Sequence, residues 1–396
     1  MSKVRRIDVA ERRARLGVRH HLARAARSTD VVTVARDLVG LHATDPATVF
    51  LSAAARLKEP ARAVADLERA LYDERSLVRT LGMRRTMFVL SRDLVPAVQA
   101  GVTDALVPGQ RKRLVREIEE NGIASDGSRW LRAVEADTLA ALDVRGEVTG
   151  SELSKAVPAL RTKLSYGEGK TWAGTTGVTT RLLFLLSTEQ RAVRGRPTGS
   201  WTSTQYRWSP MAAWFPDGIA RLTAAEARAE LALAWLATYG PATTADLKWW
   251  TGWPLGQTRT ALAAIGAVDV ALDEGHGWVL PGDIAPVKAP ASWAGLLPGL
   301  DPAAMGWHER DWYLGPHRPA LFDRNGNVGP TVWVDGRIVG GWAQRADGEI
   351  AYELLEKVGT DAEAKVERAA KDLVGWLGAA RVTPRFRTPL ERRLST

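Results

Sequence analysis

The chain has 396 residues, 45% hydrophobic and 25% charged, with no cysteine and 54 Lys+Arg against 45 Asp+Glu, a net charge of +9. That length calls for several units, and the composition excludes collagen-like, disordered and membrane-embedded classes. The missing cysteines exclude disulfides, thiolate metal sites and cysteine nucleophiles, while the excess of positive charge is suited to a polyanionic partner.

Residues 1–27 carry nine basic side chains (Lys3, Arg5, Arg6, Arg12, Arg13, Arg15, Arg19, Arg24 and Arg27) against Asp8 and Glu11, which predicts a basic amino-terminal arm and first helix. No apolar segment follows them, so neither secretion nor membrane spanning is expected and the location expected is cytoplasmic. Val31, Val34, Ala35, Leu38, Val39 and Leu41 repeat at helical spacing behind the cap-type residues Ser28, Thr29 and Asp30, which predicts a helix over about 30–41. Asp45-Pro46 reads as an N-cap followed by proline at the first helical position, opening a helix to about Leu57. A helix from Ala63 to about Asp73 then leads into residues 77–90, where apolar runs flank Gly82 and the Arg84-Arg85 pair: a hairpin with an exposed basic tip. Helices followed by a two-stranded ribbon is the order of a winged helix-turn-helix.

The order recurs twice. Arg111, Lys112, Arg113 and Arg116 open a helix-like stretch, and helices are predicted over 129–142, Thr149–Val157 and Thr175–Ser187. Strands around Arg191–Arg194 and Gln205–Trp208 then form a wing. Between 191 and 207 this ribbon contains no acid and interleaves Arg191, Arg194, Arg196 and Arg207 with Trp201, Tyr206 and Trp208. Arginine with aromatic and hydroxyl side chains suits phosphate and sugar contact, and the alternative is an ordinary solvated hairpin. In the third unit Ala224–Tyr239, Thr243–Trp250 and Pro254–Ile265 are predicted helices, followed by strands Val268–Leu272 and His276–Leu280.

From about Pro286 the chain becomes rich in Pro, Gly and Trp. Leu321–Trp342 and Glu349–Leu355 read as strands, with Asp335-Gly336 and Asp347-Gly348 as hairpin turns. A helix follows from Gly359-Thr360 to about Leu377, then a basic strand or tail with Arg381, Arg385, Arg387, Arg392 and Arg393. Most of the sixteen Trp belong in cores. The fold expected is α+β, mainly α: three tandem winged helix-turn-helix units over 1–110, 111–215 and 216–285, then a small antiparallel β-barrel or sheet module with a carboxy-terminal helix over 286–396. Neither a metal nor a cofactor is expected, because the six histidines show no ligand spacing and no phosphate-loop or dinucleotide motif is present.

These units, together with the strings GLHATDPATVFLS (40–52), GMRRTMFVL (82–90), GSWTSTQYRW (199–208) and PTVWVDGRIVGGW (330–342), resemble a bacterial winged-helix family of DNA glycosylases typified by AlkZ, an azinomycin self-resistance enzyme, and YcaQ. The resemblance covers nearly the whole chain and implies hydrolysis of an N-glycosidic bond in DNA. Glycosylase members carry Gln-x-Gln or Gln-x-Asp where this chain reads His42-Ala43-Thr44, followed by Asp45, so both motif positions differ.

Alkylation at N7 makes guanine a cationic leaving group, so what remains for the protein is to position a water and to stabilise an oxocarbenium-like sugar. Thr44 can orient the water, Asp45 can stabilise the sugar cation and His42 can accept a proton near neutral pH. The structural alternatives are an N-cap for Asp45 and a carbonyl contact for His42. Arg84, Arg85, Arg194, Arg196, Gln205 and Arg207 are the expected DNA contacts. Double-stranded DNA is the expected partner, bound by a monomer at the nucleoid, since three units in one chain can wrap a duplex without a second copy. A non-enzymatic winged-helix regulator, and a module that recognises modified DNA without cutting it, stay open at this point because fold does not imply function.

Overall fold

The computed structural model describes residues 4–171 and 173–396; Lys3 lies outside them. About half of the chain is helical, and the strands form small antiparallel sheets. The first part runs α1 (Val9–Arg19), α2 (Val31–Asp37), β1 (Leu41–His42), α3 (Pro46–Ala54), α4 (Ala63–Glu68), β2 (Leu77–Leu81), β3 (Met87–Ser91) and α5 (Val95–Val98). Next come α6 (Val107–Glu120), α7 (Gly127–Arg145), β4 (Val148–Thr149), α8 (Gly150–Ala156), β5 (Lys163–Tyr166), β6 (Gly174–Gly177), α9 (Val178–Thr188), β7 (Ala192–Pro197) and β8 (Tyr206–Pro210). Then follow α10 (Ala224–Tyr239), α11 (Thr244–Thr251), α12 (Leu255–Ala264), β9 (Val268–Leu272) and β10 (Gly275–Val279). The last part has β11 (Ala294–Leu297), α13 (Pro302–Met305), α14 (Asp311–Leu314), α15 (Arg318–Leu321), β12 (Thr331–Val334), β13 (Arg337–Gln344), β14 (Ile350–Leu354), α16 (Thr360–Leu377) and α17 (Pro389–Leu394).

Helix starts follow local chemistry. Asp30 and Asp45 cap α2 and α3 through their side chains, and Thr149, Thr223 and Thr243 form capping boxes with Glu152, Glu226 and Asp246. Four expectations need correction. The carboxy-terminal strands make an open four-stranded sheet in the order β11-β12-β13-β14, and no barrel closes, because β11 and β14 do not pair. Residues 302–305, 311–314 and 318–321, read as irregular or strand, are short helices; Asp301-Pro302 repeats the cap-and-proline signal of Asp45-Pro46. Residues 389–394 are a helix and not a strand, since Thr388-Pro389 places proline in the first turn. Finally, Gly174–Gly177 pairs with Lys163–Tyr166, so α9 begins at Val178.

One large core draws side chains from α1 to α5, from β7 and the 211–215 turn, from α10 to α12 and from the 293–338 region with Leu390; residues 114–192 hold a second core of their own. Tryptophan N–H groups tie distant segments across these packings. Trp214 donates to Leu71 O, Trp253 to Gly101 O, Trp307 to Tyr239 O and Trp376 to Pro60 O, at 2.8–3.1 Å. A fully buried ion pair joins α3 to the carboxy-terminal region: Arg56 grips Asp301 with both terminal nitrogens at 2.6 and 2.8 Å, and Ser52 Oγ donates to the same carboxylate at 2.6 Å.

The amino-terminal arm is built in. Ile7 N donates to Ala271 O at 3.0 Å and Ala271 N to Arg5 O at 2.8 Å, so the arm adds a strand-like edge to β9–β10 with Ile7 buried among Val270, Leu272 and Val279. Its arginines are neutralised locally. Arg5 and Arg15 pair with Glu11, Arg15 and Arg19 with Asp283, Arg12 with Glu274 and Arg6 with Asp273.

Candidate DNA-binding and catalytic site

The segment 42–45 is held from three sides. After α2 the chain turns through Val39 and Gly40, both at positive φ; a Cβ on Gly40 would lie 2.6 Å from Leu90 Cδ2, so this approach to β3 admits only glycine. β1 then pairs with β3, placing His42 opposite Phe88 and Leu41 opposite Val89, while β2 on the far side of β3 sets Arg79 opposite Val89. His42 and Arg79 therefore occupy opposite faces of this three-stranded sheet.

His42 is 4% exposed, packs its ring 5.2 Å from Phe88, and its Nδ1 has no hydrogen-bond partner. Burial, helped by the nearby Arg84 charge, pushes its pKa down to about 3. The expectation that His42 accepts a proton near neutral pH is thereby corrected: the imidazole is neutral there and acts through one donor and one acceptor nitrogen. Asp45, 8% exposed, has both oxygens engaged by backbone: Oδ1 accepts from Ala47 N at 3.1 Å and Oδ2 from Arg385 N at 2.9 Å. Burial raises its pKa while those two N–H groups and the Arg385 charge oppose the rise. Thr44 Oγ1, buried at the atom, has no partner among the described residues.

Beside these residues lies a group of arginines with no acid. Arg79, 1% exposed, donates to Ala43 O at 3.3 Å and sits 4.9 Å over the Tyr206 ring, its Nε unsatisfied. Arg194, opposite Trp208 in the β7–β8 register, stacks on Tyr206 and Trp208 at 5.6 and 5.4 Å. Burial and the charges of Arg79 and Arg385 depress its pKa. Arg385 reaches from the loop before α17 and donates to Thr44 O at 3.4 Å. Among the described residues no carboxylate lies within ion-pair distance of Arg79, Arg194 or Arg385. Like charges held together and partly desolvated without a counter-ion favour an anion between them. Gln190, which donates to Thr80 Oγ1 and Gln99 Oε1 at 2.8 Å, fixes the start of β7 against β2 and so sets the spacing of this group.

The other expected contacts scatter. Arg84 is not at an exposed tip: positive φ at Arg84 and Arg85 turns the 82–86 connection back, so Arg84 stacks 3.9 Å from the Trp249 ring while Arg85 points to solvent. Arg196 pairs with Asp73 at 3.0 Å and Glu68 at 3.4 Å, and Arg207 lies 3.8 Å from Glu152. Gln205 is exposed at the start of β8. The 111–116 cluster is compensated by Glu135, Glu189, Glu117 and Glu120. Arg79 is not among the contacts expected from the sequence, and Arg385 is expected only as part of a basic strand or tail. A charged residue inside the apolar strand LVRTL was the available signal for Arg79; Arg385 had none, since its position depends on the whole carboxy-terminal fold.

Arginines without side-chain ion pairs among the described residues, set beside a short polar segment, suit a protein that acts on a polyanion such as DNA. The profile of the AlkZ-like DNA glycosylase family matches residues 35–376, and the chain belongs to that family, which places it among DNA-repair glycosylases. Its fold is similar to the solved structure of Streptomyces sahachiroi DNA glycosylase AlkZ, with a TM-score of 0.72 and 20% identity over 96% of this chain and 99% of that one. No curated protein sequence matches the chain. No helix among the described residues is long and apolar enough to cross a membrane.

Proposed function

We propose that the chain is a monomeric, monofunctional DNA glycosylase that excises N7-alkylated purines, bulky or crosslinked adducts included, from double-stranded DNA of the nucleoid. In this reading three winged-helix units over 1–110, 111–215 and 216–285 wrap the duplex, with the module over 286–396 behind them. The observation that carries the proposal is the group Arg79, Arg194 and Arg385, without a side-chain ion pair among the described residues, around Thr44 and Asp45. Such a group pairs with backbone phosphates next to a lesion.

The cationic N7-alkyl base leaves without protonation, so its departure needs only a stabilised sugar cation and a water. The Asp45 carboxylate, favoured by the nearby Arg385 charge, supplies the negative charge; the Thr44 hydroxyl, unpartnered among the described residues, and the neutral His42 orient the water. Arg85 and Gln205, exposed, meet the duplex directly, and Arg84 and Arg194 do so from partly buried positions. Arg196 and Arg207 contribute less because carboxylates share their charge.

The test is release of free base from duplex carrying N7-alkylguanine. Wild type should release it, and Asp45→Asn and His42→Ala should each slow release by roughly 10²–10³-fold while still binding DNA. A second reading, recognition of modified DNA without cleavage, is favoured by the engagement of both Asp45 oxygens. Duplex binding with no base release from small or bulky adducts would select it.

A further inference from the structure

A second acid-free pair of arginines lies on the other side of His42. Arg84 and Arg310 both stack on Trp249 of α11, with guanidinium carbons 3.9 and 4.5 Å from the ring centroid. Arg310 is 5% exposed; its Nε donates to Trp307 O at 2.7 Å, and its two terminal nitrogens make no hydrogen bond to the described residues. Among the described residues Arg84 Nε is buried and unpartnered, and no carboxylate lies within ion-pair distance of either guanidinium. The nearest acid, Asp246, spends its oxygens on Thr243, His308 and Glu309 backbone N–H groups.

The arrangement is costly for the folded chain by itself. Burial, then the Arg310 charge, pushes the Arg84 pKa down to about 10, and burial also depresses Arg310. Arg84 reaches Trp249 from a left-handed backbone, with φ 52°, followed by Arg85 at φ 60°. Non-glycine residues take that conformation at a cost that surrounding structure must offset, and such outliers cluster where ligands are held. Two desolvated cations on one indole, with free N–H groups and no counter-ion, complete their charge with an external anion.

We propose that Arg84 and Arg310, levelled by Trp249, form a seat for one backbone phosphodiester of the bound duplex, separate from the Arg79–Arg194–Arg385 group. The seat rests on the reading of the chain as a DNA-binding glycosylase and adds to it a contact from the region after β11. The two groups flank segment 42–45, so the duplex is gripped on both sides of the polar segment.

The experiment is a salt titration of duplex binding with wild type, Arg310→Met and Arg84→Met, alongside thermal unfolding of each. Each variant should bind about tenfold more weakly, and the slope of log K against log salt should fall by about 1. Unfolding temperature should stay or rise, because a buried unpaired charge is removed. A duplex with a single uncharged methylphosphonate, moved along the strand, should reveal one position that weakens wild type and leaves Arg310→Met unaffected. Wild-type binding with both variants coincident on it overturns the seat while the glycosylase reading stands, and a lowered unfolding temperature with an unchanged slope identifies a purely structural stack. Inorganic phosphate that stabilises wild type and not Arg310→Met, with coincident duplex titrations, marks a free-anion site and likewise overturns it. Absence of duplex binding by wild type overturns the functional reading together with the seat.

Discussion

The amino-terminal segment and the surroundings of Thr44 are both arginine-rich, yet they have opposite electrostatic fates. In the first, Arg5, Arg12, Arg15 and Arg19 each meet Glu11, Glu274 or Asp283, and the arm is sealed against β9–β10. In the second, the Arg79, Arg194 and Arg385 side chains meet tyrosine, tryptophan and backbone carbonyls and make no ion pair with the described residues, Arg385 touching Asp45 only through its backbone N–H. Charge density along the sequence thus ranks the two segments in the opposite order to the charge that ion pairing leaves free for the phosphates of the proposed reading. What matters is the charge left after ion pairing, and the acids that decide it lie up to several hundred residues away in the chain.

That contrast can be broken experimentally. The largest effect belongs to a buried, paired arginine: Asp301→Asn leaves the Arg56 guanidinium buried without its counter-charge, and unfolding measurements should show a loss of about 3–5 kcal/mol. Arg15→Met in the amino-terminal segment should cost about 1–3 kcal/mol of stability and leave duplex affinity at the wild-type value. Arg79→Met and Arg194→Met should invert this pattern, each weakening duplex binding about tenfold with no loss of folding stability. Anisotropy titrations that found Arg15→Met to be the weaker binder would reverse the assignment of the two regions.

Titration sharpens the comparison further. The folded-state pKa of His42 is pushed down to about 3, below its unfolded value, so the unfolded chain takes up the proton first. The stability associated with neutral His42 is therefore full above the unfolded value and is lost as pH falls from there towards 3. Unfolding free energy of His42→Asn should fall less steeply than wild type in that window, and the excision rate should show no limb near pH 6.5. Because the Asp45 pKa is raised, the acid limb of excision should sit above the ordinary aspartate range and vanish in Asp45→Asn. The smallest effects are expected for Arg196→Ala and Arg207→Ala, whose half-exposed pairs should change stability by about 0–1 kcal/mol and affinity little.

Much of the local structure is written in short stretches. The helices at 224–239 and 360–377, the helix starts at Thr149 and Thr243, and the hairpin at 268–279 rest on interactions within a few residues, and their predicted bounds lie within about one residue of those found. Short helices such as 302–305 and 389–394 escaped because a single turn has no periodicity to detect. The candidate site was legible in part: His42, Thr44 and Asp45 stand out by type and spacing, but neither the burial that makes His42 neutral nor the backbone N–H of Arg385 on Asp45 can be inferred from neighbours in the chain.

By itself, then, the sequence determined where helices begin, which faces are apolar, that the chain is basic and free of thiol chemistry, and which family it resembles, because capping, periodicity and composition act over at most a few turns. Only the tertiary structure decided which arginines keep their charge for a partner. Ion pairing is a contest between residues as far apart as Arg12 and Glu274, or Arg56 and Asp301, and burial sets both its strength and the protonation of the histidine beside it.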